Sequence, residues 1–129
     1  MRRLGILFLL FCVATGGARA ADSPAPTFVV FFQEWSAALD EPAQAVINQA
    51  AEWMKAHPGN TVRVNGFADP TGSKKANILM SDLRAQVVVD QLQGDGVDAK
   101  RIRQRGHGSV KFALTSQESW RVEIGISRR

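Results

Sequence analysis

The chain has 129 residues, a length that suits one domain. Its formal net charge is +4, from 16 lysines and arginines against 12 acidic residues. Arg2, Arg3 and Arg19 lie in an N-terminal segment that we predict is removed, which leaves 13 basic and 12 acidic residues and a net charge of +1. That balance is not the footprint of a nucleic-acid-binding protein, so no nucleic-acid partner is expected.

The first 20 residues have the pattern of an export signal. Two arginines precede an apolar run of 11 residues, Leu4–Ala14, and small residues stand at Ala18 and Ala20. The run is shorter than the ~20 residues that a transmembrane helix needs, so cleavage after Ala20 is favoured over an uncleaved anchor. Cys12, the single cysteine, follows Phe11 rather than the small residue of a lipoprotein signal. We therefore predict no lipid attachment, and a mature chain without disulfides.

The next elements are a linker, a strand and a helix. Residues 21–27 (ADSPAPT) are a proline-containing linker, and residues 28–32 (FVVFF) are an apolar run typical of a buried strand. Asp40 is positioned to cap a helix that has Pro42 in its first turn, and the HPGN segment at 57–60 ends this helix. Its apolar residues recur at helical spacing, at Ala43, Val46, Ile47, Ala50, Trp53 and Met54.

The second half of the chain adds three strands and one helix. Residues 61–68 (TVRVNGFA) alternate as a strand does, and a helix is predicted over 76–93, where GDG ends it. Residues 101–108 are a weaker third strand, and residues 120–126 are a fourth with alternating apolar side chains. The basic segment KRIRQR, 100–105, falls on the third strand, where alternation would place its charges on a solvated edge.

This order predicts the fold class. The β-α-β-α-β-β sequence indicates an α+β domain over residues 28–129, in which two helices cover one face of a four-stranded mixed sheet. A domain of this size buries about two thirds of its unfolded surface, which is enough for a stable core.

The connection between the second strand and the second helix carries the most informative residues. Asp69 closes the strand, and Gly72 lets the loop backbone pass close by. Asn77 and Arg84 are seven residues apart, so two helical turns place them one above the other at the edge of the apolar stripe. That stripe is formed by Ile78, Ala85, Val88, Val89 and Leu92.

A carboxylate and a guanidinium on one shallow pocket suit a zwitterion such as an amino-acid head group. Asp69 would accept from an ammonium group, and Arg84 would hold a carboxylate with two parallel hydrogen bonds. Two structural alternatives stay open at this point: Asp69 and Arg84 pair with each other, or Asp69 caps the following helix.

No other pattern in the chain indicates catalysis or a cofactor. His57 and His107 are 50 residues apart, and no cysteine of the mature chain accompanies either, so no metal site is predicted. No histidine lies beside Ser81 on its helix to activate it as a nucleophile. The chain is predicted not to be an enzyme and to need no cofactor.

The segment GFADPTGSKKANILMSDLRAQVVVDQL, residues 66–92, resembles the signature of the OmpA-like peptidoglycan-binding domain. That signature has a Gly-x-x-Asp, a glycine, an asparagine, Leu-Ser and Arg-Ala at fixed spacing. The resemblance extends over residues 28–126 through VVFF, GVDAKRIRQRGHG and RVEI. The corresponding positions are Gly66, Asp69, Gly72, Asn77, Met80, Ser81, Arg84 and Ala85, with Met80 in place of the signature leucine.

This resemblance implies a function and a ligand. In the family, the aspartate and the arginine hold the amino and carboxylate ends of diaminopimelate in the peptidoglycan stem peptide. The same roles would fall on Asp69 and Arg84, with Asn77 and Arg121 as further ligand-binding residues. The implied location is the periplasm, in association with the outer membrane or the cell wall, and an envelope protein is a further candidate partner.

Three departures from the family pattern support an alternative. Gln33 and Trp35 stand where carboxylates are common, and Trp120 replaces one arginine of an Asn-Arg-Arg segment. Glu34 lies between the first two, but strand alternation is expected to point it to the other face of the sheet. The loop at 109–119 is also short. These changes motivate a second hypothesis, a periplasmic protein-interaction module whose peptidoglycan pocket has degenerated.

Overall fold

A computed structural model describes residues 25–109 and 116–127. The predicted export signal, Cys12, the start of the linker and residues 110–115 of the last loop lie outside the described residues. No helix in the described part of the chain combines the length and apolar character needed to cross a membrane. The elements in chain order are β1 (Thr27–Phe31), α1 (Glu41–Ala56), β2 (Thr61–Ala68), α2 (Lys74–Gly94), a 3-10 turn (Ala99–Arg101), β3 (Ile102–Ser109), the short helix α3 (Ser116–Ser119) and β4 (Arg121–Ser127).

The four strands form one mixed sheet in the order β1-β4-β2-β3. β4 is antiparallel to both of its neighbours, whereas β2 and β3 run parallel, as a helical crossover between them requires. Helices α1 and α2 cover one face, and their apolar sides form a single core with the inward side chains of the strands. The predicted α+β fold and its element order are confirmed, and each strand begins and ends within one residue of its predicted bounds.

Helix α1 begins as the sequence predicts. The Asp40 carboxylate accepts a hydrogen bond from the backbone N–H of Ala43 at 2.9 Å, and Pro42 lies in the first turn. At the other end, the rings of Trp53 and His57 stack with their centroids 3.7 Å apart. The core face consists of Ala43, Ile47, Ala50, Ala51 and Met54, while Val46 and Trp53 are half-buried.

Helix α2 begins two residues earlier than predicted, and its buried face extends beyond the predicted stripe. Ser73 caps it by accepting from the N–H of Ala76 at 3.3 Å. Ile78, which was expected in the core, is 38% exposed, whereas Asn77 and Arg84 are each 1% exposed. The buried line runs through 77, 81, 84 and 88, and its first three residues are polar. Four of the five residues of the predicted stripe, Ala85, Val88, Val89 and Leu92, are buried as expected, and the apolar periodicity missed the polar residues beside them.

Two glycines let α2 lie directly on the sheet. Gly66 of β2 and Gly106 of β3 are opposite each other in register. A Cβ atom on Gly66 would overlap the backbone carbonyl of Ser81, and one on Gly106 would overlap Asp82. The Ser81 hydroxyl also accepts from the backbone N–H of Gly108 at 2.8 Å. These contacts set the depth at which the next turn of α2, with Arg84, is held against the strands.

Candidate functional site

A polar notch lies at the carboxyl end of β2, where four segments of the chain meet. The turn after β1, the end of β2, helix α2 and the residue before β4 each contribute to it. The notch is partly open to solvent, and its cavity volume is only ≈ 10 Å³, room for about one water molecule. Three of the four predicted ligand-binding residues are among those that line this notch, together with two tryptophans and a glutamate: Asp69, Asn77, Arg84, Trp35, Trp120 and Glu34.

Arg84 is held in the notch by main-chain oxygens. Its Nε donates to the carbonyl of Ser36 at 2.9 Å, Nη1 to that of Phe67 at 3.3 Å and Nη2 to that of Gln33 at 3.0 Å. The guanidinium also lies 5.5 Å from the ring centroid of Phe32. A guanidinium has five N–H groups; three of them donate to the described residues, and one on each Nη has no acceptor among those residues. The side chain thus ties the turn after β1 to the end of β2 and keeps donors for a ligand.

The charge of Arg84 is not neutralised by contact with a carboxylate. Burial lowers the pKa of Arg84 from its usual value, and the negative charge of Asp69 in part opposes that effect. The group stays charged, because an arginine is not deprotonated in proteins. Neither of the two ion pairs between described residues involves Arg84 or Asp69. A buried cation of this kind is costly unless an anion reaches it, which favours a site for an anionic group.

Asp69 is fixed as a carboxylate by a local turn. Its Oδ1 accepts from the backbone N–H of Thr71 at 2.9 Å and from the Thr71 hydroxyl at 2.8 Å, and Oδ2 accepts from Trp120 Nε1 at 3.3 Å. These bonds, the Thr71 N–H foremost, hold the pKa of Asp69 below its ordinary value. Both structural alternatives are therefore wrong: Asp69 does not contact Arg84 in an ion pair, and the cap of α2 is Ser73.

Asn77 brings to the notch a side-chain oxygen that accepts no hydrogen bond from the described residues. Its Nδ2 donates to the carbonyl of Thr71 at 2.8 Å and to the hydroxyl of Ser109 at 3.2 Å. Its Oδ1 is buried and has no hydrogen-bond partner within the described part of the chain. Buried polar atoms are nearly always satisfied, so such an orphan oxygen in a notch indicates a place for a ligand N–H group.

Arg121 is not brought to the notch. It lies on the opposite face of the sheet, since alternation along β4 turns Val122 towards the helices and Arg121 away from them. Its Nε bonds Glu123 at 3.0 Å, Nη1 donates to the carbonyl of Glu118 at 2.5 Å, and the guanidinium covers the ring of Phe67 at 4.5 Å. Its partners are those of a residue that packs the open sheet face.

The turn after β1 holds two notch residues, Glu34 and Trp35, of which the sequence placed Glu34 elsewhere. Glu34 was expected on the far face by strand alternation, but β1 ends at Phe31, and residues 34 and 35 form a turn where alternation does not apply. Trp35 lies over the notch with 56% of its surface exposed and a left-handed backbone, φ 50. Trp120 packs against the core and also bonds Asp69, so it is both a packing and a rim residue.

The strand order, the two helices on one face and the notch at the end of β2 define an OmpA-like domain. The chain belongs to the OmpA family, whose family model matches residues 31–122. This match includes every residue that lines the notch.

The similar proteins named as binding or associating with peptidoglycan cover part of the chain. It is 42% identical over 65 residues to the peptidoglycan-binding protein ArfA of Mycobacterium tuberculosis, across 50% of this chain and 20% of that one. It is 29% identical over 82 residues to the peptidoglycan-associated lipoprotein of Rhizobium meliloti, across 64% of this chain and 47% of that one. The chain thus spans between a fifth and a half of the curated relatives it matches.

A solved structure supports the fold at greater coverage. The peptidoglycan-associated lipoprotein of Burkholderia pseudomallei superimposes with a TM-score of 0.73 and 23% identity, across 78% of this chain and 90% of that one. At that identity, the likeness is one of fold.

Proposed function

We propose that this domain binds peptidoglycan without a covalent bond, and that the notch takes the amino and carboxylate groups of diaminopimelate in the stem peptide. The observation that carries the proposal is the separation of charges in one notch. Asp69 and Arg84 both line it, and neither neutralises the other by contact. A ligand head group that bears both charges satisfies the two residues at once.

Each of the three residues would have a distinct task. The carboxylate of Asp69 would accept from the ligand ammonium group at Oδ2, where the bond from Trp120 is long at 3.3 Å. The unoccupied Nη hydrogens of Arg84 would donate to the ligand carboxylate. The orphan Oδ1 of Asn77 would accept from a ligand N–H group. The names of two relatives, a peptidoglycan-binding protein and a peptidoglycan-associated lipoprotein, support the same assignment.

The notch must widen before a head group can bind. Its ≈ 10 Å³ does not hold an amino-acid head group, and the turn that carries Trp35 forms one wall. Trp35 is more than half exposed and has the left-handed backbone that costs a non-glycine residue about 1–2 kcal/mol. Reorientation of the exposed Trp35 side chain, while Arg84 still holds the backbone of the turn, would therefore widen the notch.

The remaining parts of the proposal concern the whole chain. Residues 1–20 would be a cleaved export signal, residues 21–27 a linker, and residues 28–129 the binding domain. The mature protein would act in the periplasm, at the outer membrane or cell wall, with or without an envelope protein as partner.

Sedimentation with purified diaminopimelate-type sacculi tests the proposal. Wild type should pellet with the sacculi, whereas Asp69→Asn and Arg84→Lys should stay in the supernatant, because each removes one of the two opposite recognition elements. Asp90→Asn is the matched control, since Asp90 is an exposed carboxylate on α2 away from the notch, and it should pellet. Equal pelleting of wild type and both notch variants would refute the proposal.

Competition with soluble stem peptides tests the finer assignment. A peptide with diaminopimelate at its third position should displace the protein from sacculi. The matched peptide with lysine at that position keeps the side-chain ammonium and lacks the side-chain carboxylate, so Arg84 would have no partner and displacement should fail. Equal displacement by both peptides would contradict the assignment.

A protein-interaction module with a degenerate pocket is the second candidate. The small volume of the notch and the bond from Trp120 to Asp69 favour it, because the notch leaves little room for a ligand and the bond occupies an Asp69 oxygen that a ligand would use. In that case, wild type would not pellet with sacculi, and cross-linking in the periplasm would yield a protein partner that Trp35→Ala releases.

A further inference from the structure

The face of the sheet opposite the helices carries an open groove of ≈ 620 Å³ along β2 and β3. We call it the basic groove, because arginines form its sides and no acidic residue lines it. The groove is lined by residues of two strands, among them Arg63, Asn65 and Phe67 of β2 and Arg103, Arg105 and His107 of β3.

The arginines of the basic groove lie side by side without counter-charges. In the parallel register, Arg63 is opposite Arg103, and Asn65 is opposite Arg105. Like charges on such neighbouring side chains repel each other. None of the three arginines has an ion pair or a side-chain hydrogen bond to another residue in the described ranges. The carboxylate of Glu123 on neighbouring β4 forms an ion pair with Arg121 and none with the three arginines of the groove.

Protection of the sheet edge explains only part of this arrangement. Charged residues on an edge strand prevent pairing with other chains, and β3 is an edge strand, so Arg103 and Arg105 fit that role. Arg63 does not, because β2 is flanked by β3 on one side and β4 on the other. Its neighbour on β4 is Gly125, where a Cβ atom would meet open space. The groove is therefore open beside Arg63, and protection of the sheet edge does not explain an arginine on this central strand.

The basic groove adjoins the notch. It runs from the Arg63–Arg103 pair to the stacked rings of Phe67 and His107, four residues along each strand, or ~13 Å at the rise of a β-strand. Phe67 closes this end, and its backbone carbonyl accepts from Arg84 of the notch. Asp69 follows two residues later. The notch and the basic groove thus lie on either side of Phe67, so a stem peptide that passes this side chain can contact both.

We infer that the basic groove is a second subsite for the same wall polymer, and that it binds stem-peptide carboxylates beyond the head group held in the notch. The inference rests on the proposed function. An uncrosslinked diaminopimelate-type stem carries more carboxylates than amines, so once the zwitterionic head group is in the notch, the rest of the stem is anionic. Guanidinium groups match carboxylates with paired hydrogen bonds, and a concave groove suits an extended peptide better than a flat surface.

Two probes separate the groove from the notch. Free meso-diaminopimelate fills only the notch, whereas a soluble disaccharide-tetrapeptide reaches the groove as well. The double variant Arg63→Gln with Arg103→Gln should bind diaminopimelate as wild type does, and the disaccharide-tetrapeptide about tenfold more weakly, as two or three exposed ion pairs imply. The affinity of wild type for the larger probe should fall with salt, and that of the variant should fall less.

A charge-matched control makes the test specific. Lys55→Gln with Lys100→Gln removes the same charge from exposed positions outside the groove and should leave both affinities unchanged. If the groove variant binds the larger probe as wild type does, or loses no more than this control pair, the inference is overturned. If wild type binds neither probe, the proposed function fails and the groove assignment with it, whereas loss of both probes in Asp69→Asn alone supports the notch independently of the groove.

Discussion

Replacement of Arg84 by alanine should destabilise the domain by about 3 kcal/mol. The change leaves the carbonyls of Gln33, Ser36 and Phe67 without their donor. A buried acceptor that loses its partner costs about 1–3 kcal/mol, and the lower end applies here because Gln33 is exposed and Ser36 half-buried, so water can reach two of the three. A loss of about 3 kcal/mol is a large part of the 5–15 kcal/mol by which typical domains are stable.

Urea denaturation followed by tryptophan fluorescence measures this loss. Arg84→Lys should lose about 2 kcal/mol, since a single ammonium group cannot reach three carbonyls that a planar guanidinium spans. Arg103→Ala is the control: this exposed arginine has no described partner, so its removal should change the free energy of unfolding by less than about 0.5 kcal/mol. A loss below about 1 kcal/mol for Arg84→Ala would refute the view that these three bonds hold the turn after β1.

Three further predictions follow from the described contacts. The pKa of Asp69 is lower in the folded protein than its unfolded value of about 3.9, so its stabilising bonds are fully present above that value and are lost as the pH falls through the folded pKa. The free energies of unfolding of wild type and Asp69→Asn, measured in urea, should therefore converge in acid. A difference between them that is constant with pH contradicts this prediction. Gly66→Ala should lower the free energy of unfolding by about 1–3 kcal/mol, because its Cβ atom would overlap the carbonyl of Ser81. Gly94→Ala, whose Cβ atom meets nothing within 4 Å, should be nearly neutral in the same urea denaturation. Equal effects of the two substitutions would show that α2 can shift away from the sheet at little cost. Trp35→Gly should leave the free energy of unfolding unchanged or raise it by up to about 1 kcal/mol, since glycine adopts the φ of 50 without strain. Thermal melting measures this change. A clear loss of stability would mean that Trp35 contributes more packing than its exposure implies.

The fold was predictable because each element carries its own local signal. The alternation of TVRVNGFA marks β2 over the observed range, and Asp40 with Pro42 marks the start of α1. The polar part of the buried face of α2 was not predictable in the same way. Its buried line includes Asn77, Ser81 and Arg84, and periodicity detects burial only where the buried residues are apolar.

The candidate site was predictable in its charges but not in its supports. The spacing of Asp69, Asn77 and Arg84 brought them to one notch, and their ligand-binding roles stay predictions. The partners of Arg84 are backbone carbonyls, which every residue possesses, so no residue type marks them in the sequence. Glu34 was misplaced because the end of β1 fell one residue earlier than expected and a turn follows it.

Among the described residues, Arg84 donates only to main-chain oxygens, so the identities of the residues that supply those oxygens are free to vary. A substitution at position 33, 36 or 67 keeps the carbonyl that the guanidinium needs. The absence of an acidic residue at Gln33 therefore leaves the anchoring of the arginine intact. A combinatorial library at positions 33 and 36, screened against different amino-acid head groups, would alter the wall of the recognition site while the frame beneath it stays constant.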